Sequence, residues 1–174
     1  MKTITLICPN SWDEVQLAAS RHVWGREYQV ELYGEDVEGD PSTFDALGFI
    51  DDAVSRLRSR NPHPVHGVTS TSDYPGCIVA SAIARELGLP GPAPNRVLLC
   101  SHKYYARLAQ QAAAPEATPP FALINPGALA SDGLEIPFPL FVKPVKSWFS
   151  VLARRMETFA ELRAFAGLPE VRAH

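Results

Sequence analysis

The chain has 174 residues, of which 46% are hydrophobic and 20% are charged, and its formal net charge is −3. This length allows one full domain, or one domain and part of another, of ordinary globular composition. The negative charge argues against a nucleic acid or a membrane surface as a partner held by bulk electrostatics. No apolar run approaches the about 20 residues of a membrane-spanning helix. The three cysteines are widely spaced and odd in number, so we expect a reducing, cytoplasmic setting in which they are buried as small apolar residues.

Strand and helix patterns alternate along the first half of the chain. Short β-rich runs predict strands at residues 2–8, 28–32 and 65–69. Apolar residues at helical spacing predict helices over residues 12–22 and 44–57. A third helix is opened by Asp73 and Pro75 and closed by Gly88, and a turn-rich stretch fills residues 34–42. This alternation predicts an α/β fold with a parallel sheet and right-handed crossovers, and we assign residues 1–93 to a Rossmann-like domain.

The second half of the chain has a less regular pattern. A short helix at residues 95–99 precedes a longer helix that is opened by Ser101. Strands are predicted at residues 121–124, 140–145 and 151–156. Thr158 and Glu161 form the sequence pattern of a capping box at the start of a last helix. Residues 94–174 therefore form a second segment of α+β type.

Two lysines occupy positions that are unfavourable for folding alone. Lys103 lies in the first turn of the helix opened by Ser101, where backbone N–H groups carry partial positive charge and a cation costs roughly 0.3–1 kcal/mol. Lys143 lies in the apolar run at residues 139–145, where an unpaired ammonium shifts its pKa or finds an anion. A polyphosphate would satisfy both lysines. Each also has a plain alternative, which is a solvated helix end for Lys103 and an edge-strand lysine that blocks aggregation for Lys143.

The sequence around these lysines carries a family resemblance. The runs GLPG at 88–91, SHK at 101–103 and PFPLFVKPV at 137–145 follow one another in an order and spacing that resemble the ATP-grasp superfamily. This superfamily includes carbamoyl phosphate synthetase, biotin carboxylase and the D-alanine ligases. The resemblance implies that residues 1–93 are the Rossmann-like domain that precedes an ATP-grasp core. It also implies that residues 94–174 are the incomplete N-terminal part of a truncated ATP-grasp domain.

The resemblance further implies which residues bind the nucleotide. Lys103 and Lys143 match the two lysines that hold ATP phosphates in this superfamily, and a triphosphate near its transfer state needs fixed positive charge. The loop at residues 146–150 matches the loop that covers the phosphates, where Ser147 and Ser150 supply hydroxyl and backbone donors. This loop lacks the glycines usual in the family, which let N–H groups approach phosphate closely. A phosphate-binding loop and a plain hairpin turn are therefore both open interpretations.

Two further clusters give weaker signals. The junction at residues 67–76 joins a strand end to a helix start, a geometry that binds anions but that also serves simply to cap a helix. Because this edge faces the substrate in related ligases, it is the best candidate for a substrate contact. A zinc site built from His63, His66, Cys100 and His102 matches no common ligand spacing, so no metal ligand is assigned.

Together these patterns predict the N-terminal fragment of an ATP-dependent carboxylate–amine ligase that works through an acyl phosphate. ATP, a small carboxylate and an amine are the expected partners of the parent protein, with Mg²⁺ held by residues beyond the end of this chain. We expect no ligation by the chain alone, and either a homodimer or a completing chain. The alternative is a non-catalytic Rossmann-like module for ligand binding or protein interaction. The catalytic residues are not identified by the sequence.

Overall fold

The computed structural model describes residues 1–34, 43–60, 64–129, 134–147 and 150–173. The chain divides into two compact units, Met1–Leu98 and Leu99–His174. The sequence-based border at residues 93 and 94 lies just before the helix Pro94–Ser101, which spans this division. Most of the turn-rich stretch predicted at residues 34–42 lies outside the described part of the chain.

The first unit is built on a three-stranded parallel sheet. Its elements are β1 (Lys2–Ile7), α1 (Ser11–Trp24), β2 (Tyr28–Tyr33), α2 (Ala46–Arg58), β3 (Gly67–Thr69) and α3 (Gly76–Glu86). The strand order is β2-β1-β3, and β1 is parallel to both neighbours. The predicted α/β fold with parallel strands is confirmed.

Local signals in the sequence define the ends of the helices in this unit. The side chain of Asn10 accepts from the backbone N–H of Asp13, and the carboxylate of Asp13 accepts from the N–H of Asn10, which forms a reciprocal capping box for α1. Gly88, with φ of +67°, ends α3. The N–H groups of Gly88 and Leu89 then donate to the carbonyls of Arg85 and Ala84, as in a Schellman motif.

The start of α3 differs from the prediction. Asp73 does not cap this helix, because Pro75 occupies the N-cap position and no side chain accepts a hydrogen bond there. The carbonyl of Ser72 accepts from the N–H of Cys77, and the carbonyl of Pro75 accepts from Ile78 and Val79. Backbone oxygens therefore satisfy the N–H groups that a capping side chain would otherwise have satisfied.

The core of the first unit lies between one face of the sheet and two helices, α2 and α3. Its buried members include Ile7 from β1, Val54 and Leu57 from α2, and Val79 and Ile83 from α3. Burying each such side chain contributes about 1.5–3 kcal/mol. This packing fixes the sheet, whose carboxyl edge carries the junction singled out in the sequence.

The second unit has fewer residues in helices and strands than the first. After α4 (Pro94–Ser101), which spans the division, it contains α5 (Lys103–Ala113), β4 (Leu140–Val142), β5 (Arg154–Met156), α6 (Phe159–Ala166) and α7 (Pro169–Ala173). The two strands are antiparallel, with Phe141 opposite Arg155. Met156, Leu162 and Phe165 form the buried core, against which Leu140 and Val142 pack.

Several predictions for the second unit need correction, among them the strand predicted at residues 151–156, of which only Arg154–Met156 forms β5. Residues 121–124 form no strand, because their backbone makes no ladder with a neighbouring strand in the described residues, although Ile124 packs on the core. The strand predicted at 140–145 is shorter because Pro144 has no N–H to donate. The predicted capping box at α6 is half formed. The hydroxyl of Thr158 accepts from Glu161, but the carboxylate of Glu161 reaches the N–H of Glu157 instead of Thr158.

Candidate functional site

Helix α5 begins one residue later than the sequence indicates, and its N-cap is His102 instead of Ser101. His102 has an extended backbone with φ of −93° and ψ of 108°, and its ring nitrogen Nδ1 accepts from the N–H of Tyr105 at 3.4 Å. Its carbonyl accepts the first helical hydrogen bond, from Ala106, at 2.9 Å. Ser101 was the expected cap because serine is among the preferred residues there, but it is the last residue of α4.

Lys103 is the first residue of α5 and is joined twice to the segment that follows β4. Its backbone N–H donates to the carbonyl of Val145 at 2.9 Å. Its side-chain nitrogen Nζ donates to the carbonyl of Ser147 at 2.7 Å and lies 3.4 Å from the hydroxyl of Ser147. The structure therefore brings together Lys103 and Ser147, two of the four predicted site residues. The half-buried ammonium is directed at oxygen acceptors, the atom type that a phosphate group also presents.

Lys143 lies immediately after β4 and is exposed. Along this segment Leu140 and Val142 pack on the core, whereas Phe141 is 63% exposed. Alternation along an extended chain puts Lys143 on the same side as Phe141, away from the core. Within the described residues, Lys143 has no hydrogen bond or ion pair. The sequence predicted an ammonium inside an apolar strand, whereas Lys143 is exposed and lies just after the strand.

A backbone hydrogen bond keeps Lys103 and Lys143 near each other. Lys143 precedes Val145 by two residues, and the carbonyl of Val145 is bonded to the N–H of Lys103. Two residues of extended chain plus this hydrogen bond keep the two lysine Cα atoms within roughly 14 Å of each other. Contact of both lysine side chains with one triphosphate stays a prediction.

Ser150, the fourth predicted residue, is exposed and has a left-handed backbone with φ of +58°. Leu152 has a similar φ of +55°, and the N–H of Ala153 donates to the carbonyl of Ser150 at 3.0 Å. Ser150 and Leu152 thus adopt a left-handed backbone conformation that is usually found at glycine. Residues 148 and 149, which the sequence places in the same loop, lie outside the described part of the chain.

The strand–helix junction at the carboxyl edge of the first unit is held by its own side chains. The hydroxyl of Ser70 donates to the carbonyl of Ile7 at 2.8 Å, and that of Thr71 donates to the carboxylate of Asp13 at 2.7 Å. These bonds join the loop after β3 to the last residue of β1 and to the first turn of α1. The hydroxyls of Ser70 and Thr71 therefore hold the scaffold together, and the predicted substrate contact at residues 67–76 stays a prediction.

Two of the four residues considered for zinc, His66 and His102, have other roles. His63 lies outside the described residues, Nδ1 of His66 accepts from the N–H of Thr3 at 3.1 Å, and His102 caps α5. In the parts of the chain that the structure describes, no group of three His, Cys, Asp or Glu residues could hold a metal ion. Over the same residues, none of the helices has the length and apolar character needed to cross a membrane.

The cysteines are not uniformly buried. Cys8 is buried, Cys77 is half-buried and Cys100 is exposed, so the prediction that all three act as buried apolar residues is wrong for Cys100. Burial, with a smaller contribution from the negative charge of Asp73, raises the pKa of the Cys77 thiol. Cys77 therefore stays a neutral thiol at physiological pH.

One of three comparisons with known proteins found a similar fold. No protein-family model matches the sequence, and no curated protein matches it. A crystal structure of L-amino acid ligase from Bacillus licheniformis matches with a TM-score of 0.61 and 19% identity, over 94% of this chain and 41% of that chain. At this identity the likeness concerns the fold. The fold agrees with the one that the predicted resemblance implies. The chain covers about two fifths of the length of that ligase chain.

Proposed function

We propose that this chain is the N-terminal portion of an ATP-dependent carboxylate–amine ligase and that its second unit binds the phosphates of ATP. The observation that carries the proposal is the contact of Lys103 with Ser147, in which a half-buried ammonium is aligned on oxygen acceptors. The likeness of the fold to an L-amino acid ligase supports the class of enzyme. The nearby exposed Lys143 supports a second phosphate contact.

The proposed reaction has two steps. A carboxylate oxygen of the first substrate attacks the terminal phosphorus of ATP, which forms an acyl phosphate and releases ADP. The amine of the second substrate then attacks the acyl carbon, which forms an amide and releases phosphate and a proton. Lys103 and Lys143 would stabilise the charge of the transferring phosphoryl group, and Ser147 and Ser150 would donate hydrogen bonds to it.

We propose that the magnesium ligands and the remaining substrate contacts are not among the described residues. After Lys143 the sequence contains three carboxylates, Glu157, Glu161 and Glu170. Glu157 pairs with Arg155 at 2.9 Å, and Glu161 accepts from the N–H of Glu157. Because hard cations need several free carboxylate oxygens, we propose that the ligands come from a continuation of the chain or from a completing chain. Small carboxylates and amines are the proposed substrates.

Nucleotide binding tests the phosphate site directly. We would titrate the ¹⁵N-labelled chain with MgATP and compare the wild type with Lys103→Met and Lys143→Met. Removing a charged hydrogen-bond partner of phosphate should weaken binding about tenfold or more for each variant. Lys2→Met, which removes an exposed lysine from the first unit, is the matched control and should bind as the wild type does. Unchanged affinity in both site variants would contradict the proposal.

A turnover assay tests where the metal ligands are proposed to lie. With ATP, magnesium and a panel of amino acids, the chain alone should release no phosphate above background, because the metal ligands are proposed to come from other polypeptide. Phosphate release that depends on both an amino acid and Lys143 would show that the chain holds a complete site.

A further inference from the structure

We propose that His102 is a positioning residue that holds Lys103 in place for phosphate binding by capping helix α5. This inference rests on the proposed role of Lys103. It assigns no contact between His102 and the nucleotide.

His102 accepts two hydrogen bonds from the first turn of α5, one through its side chain and one through its backbone. Its Nδ1 accepts from the N–H of Tyr105 and its carbonyl accepts from Ala106. Its ring also packs on the ring of Tyr105, with centroids 4.3 Å apart and an interplanar angle of 35°. Lys103 is the next residue, so its backbone direction depends on this cap together with the hydrogen bond from its own N–H to the carbonyl of Val145.

The first turn of α5 depends on this local support for two reasons. Lys103 places a positive charge at the positive end of the helix dipole, which opposes helix formation there. In addition, no residue of α5 is buried, so little burial of apolar surface compensates for a lost cap. Without the cap the first turn is expected to fray. The ammonium of Lys103 would then have to be ordered when the phosphate binds, and that ordering lowers affinity.

The cap requires one protonation state of the imidazole ring. Nδ1 accepts a hydrogen bond only when it carries no proton, so the neutral ring holds its proton on Nε2. An asparagine side chain offers a carbonyl oxygen that can make the same bond and is among the best N-cap residues. Alanine offers no acceptor. The pair His102→Asn and His102→Ala therefore separates capping from any property specific to imidazole.

The experiment is a double-mutant cycle on MgATP affinity, using His102→Ala, His102→Asn, Lys103→Met and the double variant His102→Ala/Lys103→Met. Loss of the cap should weaken binding about fivefold in His102→Ala, whereas His102→Asn should remain within about twofold of the wild type. If His102 acts through Lys103, His102→Ala should have no further effect in the Lys103→Met background. Amide hydrogen exchange of Tyr105 without nucleotide should be faster in His102→Ala and unchanged in His102→Asn.

The outcomes separate this inference from the proposed function. If Lys103→Met weakens binding but His102→Ala does not, the positioning role is wrong and the phosphate site stands. An additive effect of the two substitutions, or an Asn variant as weak as the Ala variant, would also overturn the positioning role. If Lys103→Met binds as the wild type does, the proposed function itself fails. Unchanged amide signals of Met156, Leu162 and Phe165, the core of the second unit, confirm that each variant is folded.

Discussion

Ser150 and Leu152 both hold a left-handed backbone, with φ of +58° and +55°, in the turn before β5. This region costs residues with a Cβ atom roughly 1–2 kcal/mol. The two side chains differ, however, because Ser150 is exposed whereas Leu152 packs against the core of the second unit. The same glycine substitution should therefore have opposite effects at the two positions.

Ser150→Gly should stabilise the second unit by about 0.5–1 kcal/mol, because glycine adopts positive φ without steric cost. Leu152→Gly should destabilise it by about 1 kcal/mol or more, since the loss of apolar packing outweighs the relieved strain. Urea denaturation followed by circular dichroism measures both. Destabilisation by Ser150→Gly would contradict the strain argument.

Cys77 and Cys100 should differ in their reactivity toward thiol reagents. Cys77 is half-buried and its pKa is raised by burial and by Asp73, whereas Cys100 is exposed. Because the thiolate is the reactive form, iodoacetamide at neutral pH should alkylate Cys100 well before Cys77. Mass spectrometry of timed samples measures the order, and equal rates would show that the Cys77 thiol is accessible and ionised.

The raised pKa of Cys77 also has a consequence for stability. The folded state holds the thiol proton more tightly than the unfolded state, whose thiol pKa is about 8.5. The resulting stability is fully present below that pH and is lost as the pH rises through the folded-state pKa. The stability of the wild type should thus fall more between pH 8 and pH 10 than that of Cys77→Ser, as measured by urea denaturation. Parallel pH profiles would contradict this linkage.

At the scale of elements, Asp13 joins α1 to the loop after β3. Its carboxylate accepts from the N–H of Asn10, as part of the capping box of α1, and from the hydroxyl of Thr71. Asp13 is only 8% exposed. A buried carboxylate with two donors is part of the fold rather than a free group for a ligand.

Asp13→Ala should therefore destabilise the first unit by about 2 kcal/mol, because it removes a helix cap and leaves the Thr71 hydroxyl without its acceptor. Thr71→Val removes only the cross-loop bond and should cost about 1 kcal/mol. Thermal unfolding of the two variants measures the difference. An Asp13→Ala variant as stable as the wild type would show that the cross-loop contact contributes nothing to stability.

At the scale of the whole molecule, the two units have cores of different size. Eight buried residues form the described core of the first unit, against three in the second. Both units expose large apolar side chains, for example Leu47 at 77% in the first and Phe141 at 63% in the second, so the difference lies in the buried cores. The described residues of the second unit have the smaller core to oppose local unfolding.

Limited proteolysis should accordingly cut the chain after about residue 115 before it cuts the first unit. A fragment that contains Met1–Leu98 should accumulate and resist further digestion, as identified by mass spectrometry. Uniform resistance along the chain, or first cuts inside the β1–α3 region, would contradict the difference in core size.

The sequence alone determined the features that depend on neighbouring residues. The alternation of strands and helices in the first unit and the stop at Gly88 were both readable, because side-chain periodicity and backbone conformation act within a few residues. Parallel pairing followed from that alternation, since consecutive strands joined by helices can run in one direction. The likeness to a ligase fold followed from short runs of sequence.

Only the tertiary structure decided the contacts between distant residues. The bonds of Lys103 to Val145 and Ser147, and of Asp13 to Thr71, join residues more than 40 positions apart, and no local pattern encodes them. The strand predicted at residues 121–124 failed for the same reason, because a strand requires a partner backbone that the local sequence does not supply. The choice of His102 over Ser101 as the N-cap was likewise visible only in the structure, where Ser101 is the last residue of α4.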